Sequence, residues 1–186
     1  MRASFSFGIA GVVLVVIAFL SFPNGLIISF PIAGLVASLL ICRGNKSSAQ
    51  RVAAAALTAA SFGVTGLTVV FSLISLQADI EPVWGAFAWG LGFGLAGGIS
   101  GRSLSRLWRS GGQGSAVIPF AGSMAGLAFA MSGGVAGFLG FLGFPAWNVS
   151  VLIACIWLAF QLGGLGVDFG WHLALKRIHA IEPESE

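Results

Sequence analysis

The chain has 186 residues, of which 57% are apolar and 8% charged, with a mean hydropathy of +0.98. A soluble domain carries about 25% charged residues, so a soluble enzyme is excluded: there are too few polar atoms to cover a globular surface. A nucleic-acid module is excluded too, because nine Lys and Arg against six Asp and Glu leave a net charge of only +3.

A helix that crosses a ~30 Å hydrocarbon core needs about 20 apolar residues. Six runs meet or approach that length, and each is expected to be helical because lipid offers no partner to an open backbone. The first, Phe5–Phe22, follows Arg2; no small-x-small cleavage site follows it, so it is expected to stay in the mature protein. The second, Gly25–Cys42, begins almost at once.

The third run, Val52–Gln77, carries Thr58, Ser61, Thr65, Thr68, Ser72 and Ser75 at alternating spacings of three and four. That spacing puts all six hydroxyls on one helix face. Each is tolerable in lipid, since it can bond back to a carbonyl one turn earlier. Their alignment points to a seam against another helix, or to a polar wall lining a path for water, protons or a small solute.

The fourth run, Val83–Ser100, has Gly90, Gly94 and Gly98 four residues apart. Small residues let helix backbones approach closely in a membrane, so this is a packing face, within the chain or toward a homo-oligomer or another membrane protein. The string GLGFGL has the wrong spacing for a nucleotide loop. GISG (98–101) resembles the nucleophile motif of rhomboid proteases, but its serine ends a helix and no oxyanion partners accompany it. After this run, GRSLSRLWRSGGQGS puts Arg102, Arg106 and Arg109 on one helical face, expected as a short interfacial helix on anionic lipid headgroups.

The fifth run, Ala116–Leu142, repeats the glycine pattern at Gly122/Gly126 and Gly133/Gly137. The sixth, Asn148–Leu175, contains Asp168, the one acid inside an apolar run, with His172 a turn later and Gln161 seven residues earlier. Intramembrane ionisable groups are costly and are functional candidates by default. Asp168, His172 and Gln161 therefore form a candidate pH-responsive group. The competing reading is structural: Asp168 lies ~12 Å from Lys176 along the axis and pairs with a loop arginine near the headgroups. Cys42, Cys155, His172 and His179 match no metal spacing, and neither a metal nor a cofactor is expected.

Charge gives the orientation. All nine basic residues fall at the N-terminus, in the second and fourth connections, or after residue 175; the other connections carry only Asp79 and Glu81. The positive-inside rule then puts both termini in the cytoplasm. Pro23, Pro82 and Pro145 mark the three outward turns, 59 residues apart (23 to 82) and 63 apart (82 to 145). A fixed period is the signature of a repeat. The expected fold is all-α: one integral membrane domain over 1–186, six transmembrane helices as three hairpins over about 5–42, 52–100 and 116–175, and a polar tail at 178–186.

Three proline-turn hairpins with both ends inside resemble the HdeD-like acid-resistance membrane proteins, six-span proteins built from a short repeated domain. The similarity is closest in ACIWLAFQLGGLGVDFGWHLALKR (154–177), and it extends to GVVLVVIAFLSFPNGLIISFPIAGLVASLLICRG (11–44). The middle hairpin matches in layout alone. The resemblance implies a non-enzymatic inner-membrane protein active in acid or envelope stress, with no catalytic site. The alternatives are a small transporter or channel, such as the substrate-binding subunit of an importer, and an accessory subunit of a larger membrane complex.

Overall fold

Long apolar runs satisfy their own backbone hydrogen bonds only as helices, and the chain follows that rule. A computed structural model describes residues 3–21, 24–42, 48–75, 81–108, 117–143 and 149–181. Among these it has six helices: α1 Ala3–Leu20, α2 Asn24–Ile41, α3 Ser48–Ser75, α4 Pro82–Trp108, α5 Val117–Gly143 and α6 Val149–Ile181. Five are long and apolar enough to cross a membrane, and α2 supplies a shorter apolar stretch, Gly25–Ile41.

Boundaries differ from expectation in two places. The segment carrying Arg102 and Arg106 is no separate interfacial helix but the end of α4, which runs unbroken to Trp108. Likewise α6 continues to Ile181, so the expected tail is helical at its start. No proline that would stop a helix falls between Arg102 and Trp108 or between Lys176 and Ile181. The prolines at 23 and 145, and Arg109, lie outside the described residues.

Each helix packs on its neighbours in the chain, and α1 also packs on α6, so the six close into a ring. The outside of that ring is as apolar as its inside. Phe19, Phe71, Phe87, Met131 and Phe169 are between 63% and 66% exposed, and every helix adds further bare aliphatic side chains. So much contiguous apolar surface marks contact with something other than water. The architecture is that of a polytopic helical membrane protein.

The centre is filled by phenylalanine, one from each helix: Phe7, Phe30, Phe62, Phe93, Phe129 and Phe160, all fully buried. Phe160 is the hub. Its ring centroid lies 4.9 Å from Phe62, 5.9 Å from Phe30 and from Phe93, 6.3 Å from Phe129 and 6.4 Å from Phe7. These separations fall in the range where edge-to-face and offset pairs attract.

A sequence pattern lies behind the cluster. Each central phenylalanine follows a small residue and precedes a glycine by four: SFGIAG (6–11), SFPIAG (29–34), SFGVTG (61–66), GFGLAG (92–97), AFAMSG (128–133) and AFQLGG (159–164). Phe and Gly four apart share a helix face. Two such helices laid antiparallel can therefore each seat a phenylalanine on the other's glycine.

Three pairs do so. A Cβ on Gly66 would lie 2.9 Å from Phe30 Cβ, and one on Gly34 would lie 3.1 Å from the Phe62 ring; this couples α2 and α3. In the α4–α5 pair, Phe93 sits on Gly133 and Phe129 on Gly97. In the α1–α6 pair, Phe7 sits on Gly164 and Phe160 beside Gly11. A larger residue at Gly34, Gly66, Gly97, Gly133 or Gly164 would press on one of these phenylalanines, and at Gly11 it would press on Trp157.

The α1–α2 corner is tight for a different reason. There the Gly25 N–H donates to the Ser21 carbonyl at 2.6 Å. A Cβ on Gly25 would come 2.8 Å from the Ile17 carbonyl oxygen, so only glycine fits.

Truncating the hub should be far more costly than truncating a ring on the outside. Phe160→Ala is expected to lose about 3–5 kcal/mol of stability, whereas Phe169→Ala should stay within about 0.5 kcal/mol. Equilibrium unfolding of both variants in detergent micelles measures the difference.

Candidate functional site

The first turn of any helix leaves backbone N–H groups without partners, and among the described residues those of α1 are met from another helix. No acidic side chain stands in its first turn, and the residues before Ala3 are Met1 and Arg2. Neither is among the Ser, Thr, Asp and Asn side chains that serve at this position.

The cap comes from the far end of the chain. Asp168 on α6 accepts a hydrogen bond from the Ala3 N–H through Oδ1 at 2.7 Å. Its Oδ2 accepts from the Ser4 N–H at 2.9 Å and from the Ser4 hydroxyl at 2.5 Å. One carboxylate thus answers three donors at a helix start, where the peptide dipoles also favour negative charge. The group is half-buried, and its partners lie 164 and 165 positions away in sequence.

Packing one turn earlier makes this reach work. Gly164 faces α1, and a Cβ there would lie 3.0 Å from Ser4 Cα and 3.3 Å from the Ala3 carbonyl oxygen. The missing side chain lets the start of α1 settle against α6, so the carboxylate on the next turn arrives over the exposed N–H groups. Further along the same stripe the Gln161 side chain covers Gly8 and Trp157 covers Gly11. Gln161 and Asp168 therefore share the α1-facing stripe.

His172 has a different setting. It is exposed, as is Lys176 a turn later, while both oxygens of Asp168 are turned to α1. Among the described residues, the partner of Asp168 is the start of α1.

The hydroxyl stripe of α3 faces α4. Thr65 Oγ1 lies 2.9 Å from the Gly92 carbonyl, closer than to its own helix's Ser61 carbonyl at 3.2 Å. Ser61 and Ser100 hydroxyls stand 3.4 Å apart, and the Trp89 indole N–H donates to the Ser72 hydroxyl at 2.6 Å. Thr68 lies against Gly92 and bonds back to the Val64 carbonyl at 3.0 Å. Thr58 is fully buried beside α2, its carbonyl oxygen 2.8 Å from where a Cβ on Gly34 would be. The side chain of Ser75 lies outside the described residues.

Arg102 is exposed near the end of α4, its Cγ crossing over Gly122 of α5. Arg106 lies on the same helix, with its side chain outside the described residues. Cys42, buried just after α2, and Cys155, half-buried in α6, are free thiols.

Sequence reasoning singled out Asp168 but missed Ala3 and Ser4. The available signal was an uncapped first helix in a chain with one acid inside its apolar runs. No protein-family model, curated protein or solved structure matches this chain.

Removing the cap should loosen α1 locally. Asp168→Ala is expected to cost about 1 kcal/mol and to speed amide hydrogen exchange in the stretch 3–8, leaving the phenylalanine-bearing segments protected. Thr65→Val removes one interhelical bond and should cost about 0.6 kcal/mol. Liposomes carrying Thr65→Val should be no leakier to protons than those carrying the original protein, as expected of a seam.

Proposed function

We propose that this chain is a non-enzymatic protein of the cytoplasmic membrane that serves acid and envelope stress tolerance. Its proton-responsive element is the carboxylate of Asp168 on the start of α1. The observation that carries this reading is the donor set around that carboxylate. All three partners are donors, so Asp168 is matched to them only while it accepts through both oxygens.

A proton on Asp168 would turn one oxygen into a donor facing donors and remove the negative charge that the helix start favours. The first turn of α1 then loses its cap, and the α1–α6 contact loosens at that end. His172 and Lys176 are the titratable neighbours on α6 itself, and Arg2 precedes the first turn of α1. From α5, Ala128 meets this part of α6 at Gly166 and Met124 meets it at Gly170, neither of them titratable. Acidification on that side would thus change the packing of one helix without any catalytic step.

The split of basic residues supports both termini facing the cytoplasm, which puts Asp168 near the inner headgroups. Six crossings are supported by α2, since it packs along both α1 and α3, and spans of 17 residues or so occur. The similarity to HdeD-like proteins in the first and last helices agrees with the acid-tolerance role. The importer and channel readings have less behind them: six rings occupy the axis along which a solute would pass, and the hydroxyl stripe is engaged with α4.

Survival after acid challenge tests the proposal, in cells deleted for the protein and complemented with the original or with Asp168→Asn. Deletion should lower survival, and only the original should restore it. Equal rescue by both would remove Asp168 from the mechanism, and an unaffected deletion strain would overturn the stress role.

A further inference from the structure

We propose that the outward groove between α4 and α5 holds one anionic phospholipid from the leaflet on the Arg102 side. The groove encloses about 530 Å³. Its floor is backbone: a Cβ on Gly126 would lie 3.2 Å from the Gly94 carbonyl oxygen and 3.3 Å from Gly98 Cα. Its walls are the exposed side chains of Leu91, Leu95 and Ile99 on α4 and Leu127 on α5. Nothing along this trough attracts a headgroup, and everything in it suits an acyl chain.

Length and charge select the occupant. The groove runs from Gly90 to Arg102, a rise of ~18 Å, which is a little more than half of a ~30 Å hydrocarbon core. It is therefore about one leaflet deep. At its end stands Arg102, exposed and part of the lining, which also includes Ser123. A guanidinium at headgroup depth is suited to the paired oxygens of a phosphate.

A second copy of the chain suits the groove less well. A two-fold axis along the membrane normal would bring two Arg102 side chains to the same depth across the contact, and like charges there repel. The groove between α1 and α6 is a natural contrast. At about 480 Å³ it is nearly as large, but Val12, Val15, Phe19, Ile153, Ala154 and Trp157 line it with no charge. It offers acyl packing with no headgroup selection. This proposal stands independently of the acid-tolerance role.

Native mass spectrometry of the delipidated full chain, given equal amounts of phosphatidylglycerol and phosphatidylcholine with the same acyl chains, tests it. The original protein should retain one phosphatidylglycerol about tenfold over phosphatidylcholine, the scale of one charge-assisted contact. Arg102→Gln should bring that preference close to one while leaving weak retention of either lipid. Gly98→Leu should lower retention of both. A Cβ at Gly98 meets nothing nearer than 3.8 Å, so the new side chain fills the groove without parting the helices, and thermal unfolding in detergent should be unchanged. Equal retention of the two lipids by the original protein would overturn the proposal. So would unchanged binding by a folded Gly98→Leu, or a dimer that Gly98→Leu abolishes, since the groove would then belong to a second copy.

Discussion

Hydrocarbon removes the force that assembles soluble proteins, because a leucine gains little by leaving lipid for a protein interior. What remains is close packing, and in this chain it is organised by one recurring contact: a phenylalanine laid on a glycine of a facing helix. Dispersion grows with the number of atoms at contact distance, and a ring on a bare backbone gathers many. The glycines set the helix separation, the rings fill what would otherwise be an axial void, and Phe160 touches all five of the others. Helix order and ring closure are consistent with that geometry.

Polar groups occupy what this packing leaves over. Of the α3 hydroxyls, Ser61, Thr65 and Ser72 bond across the α3–α4 interface, which joins two of the reciprocal pairs and, among the described residues, carries no phenylalanine-on-glycine seat of its own. Hydrogen bonds thus reinforce a boundary where ring packing is absent. Interhelical bonds of this kind contribute modestly, since a separated helix also finds partners for its hydroxyls. Their value here is positional: Trp89 held to Ser72 and Thr65 held to the Gly92 carbonyl fix the rotation of α4 against α3.

Much of this was legible in the sequence. Hydropathy alone places the six helices, and the three-and-four spacing of Thr58 through Ser72 predicts that they share one face. The cost of charge in lipid singles out Asp168. The partner of that carboxylate was not legible, because a contact between residues 164 positions apart has no local trace beyond an uncapped first turn. The Phe-to-Gly spacing was legible in principle. A reading that looks for membrane spans treats phenylalanine and glycine alike as apolar filler, and the proline turns draw the eye to hairpins, whereas the reciprocal seats join α2 to α3, α4 to α5 and α1 to α6. The end of α4 was misplaced because arginine signals the membrane surface, yet it is also a good helix former, so the helix runs on past the hydrocarbon.

The three reciprocal pairs are not equivalent. The partners α2 and α3 are joined through residues 42–47, and α4 and α5 through 109–116, so each pair is held at high effective concentration by a short connection. The third pair, α1 and α6, has no direct connection; the whole bundle lies between its members. Closing it costs more chain entropy than closing the others. The α1–α6 pair is therefore the weakest seam unless something is added. What is added is the one carboxylate inside an apolar run, set where it satisfies three donors at once. A charge that costs so much to keep near hydrocarbon is placed at the joint with the least covalent support.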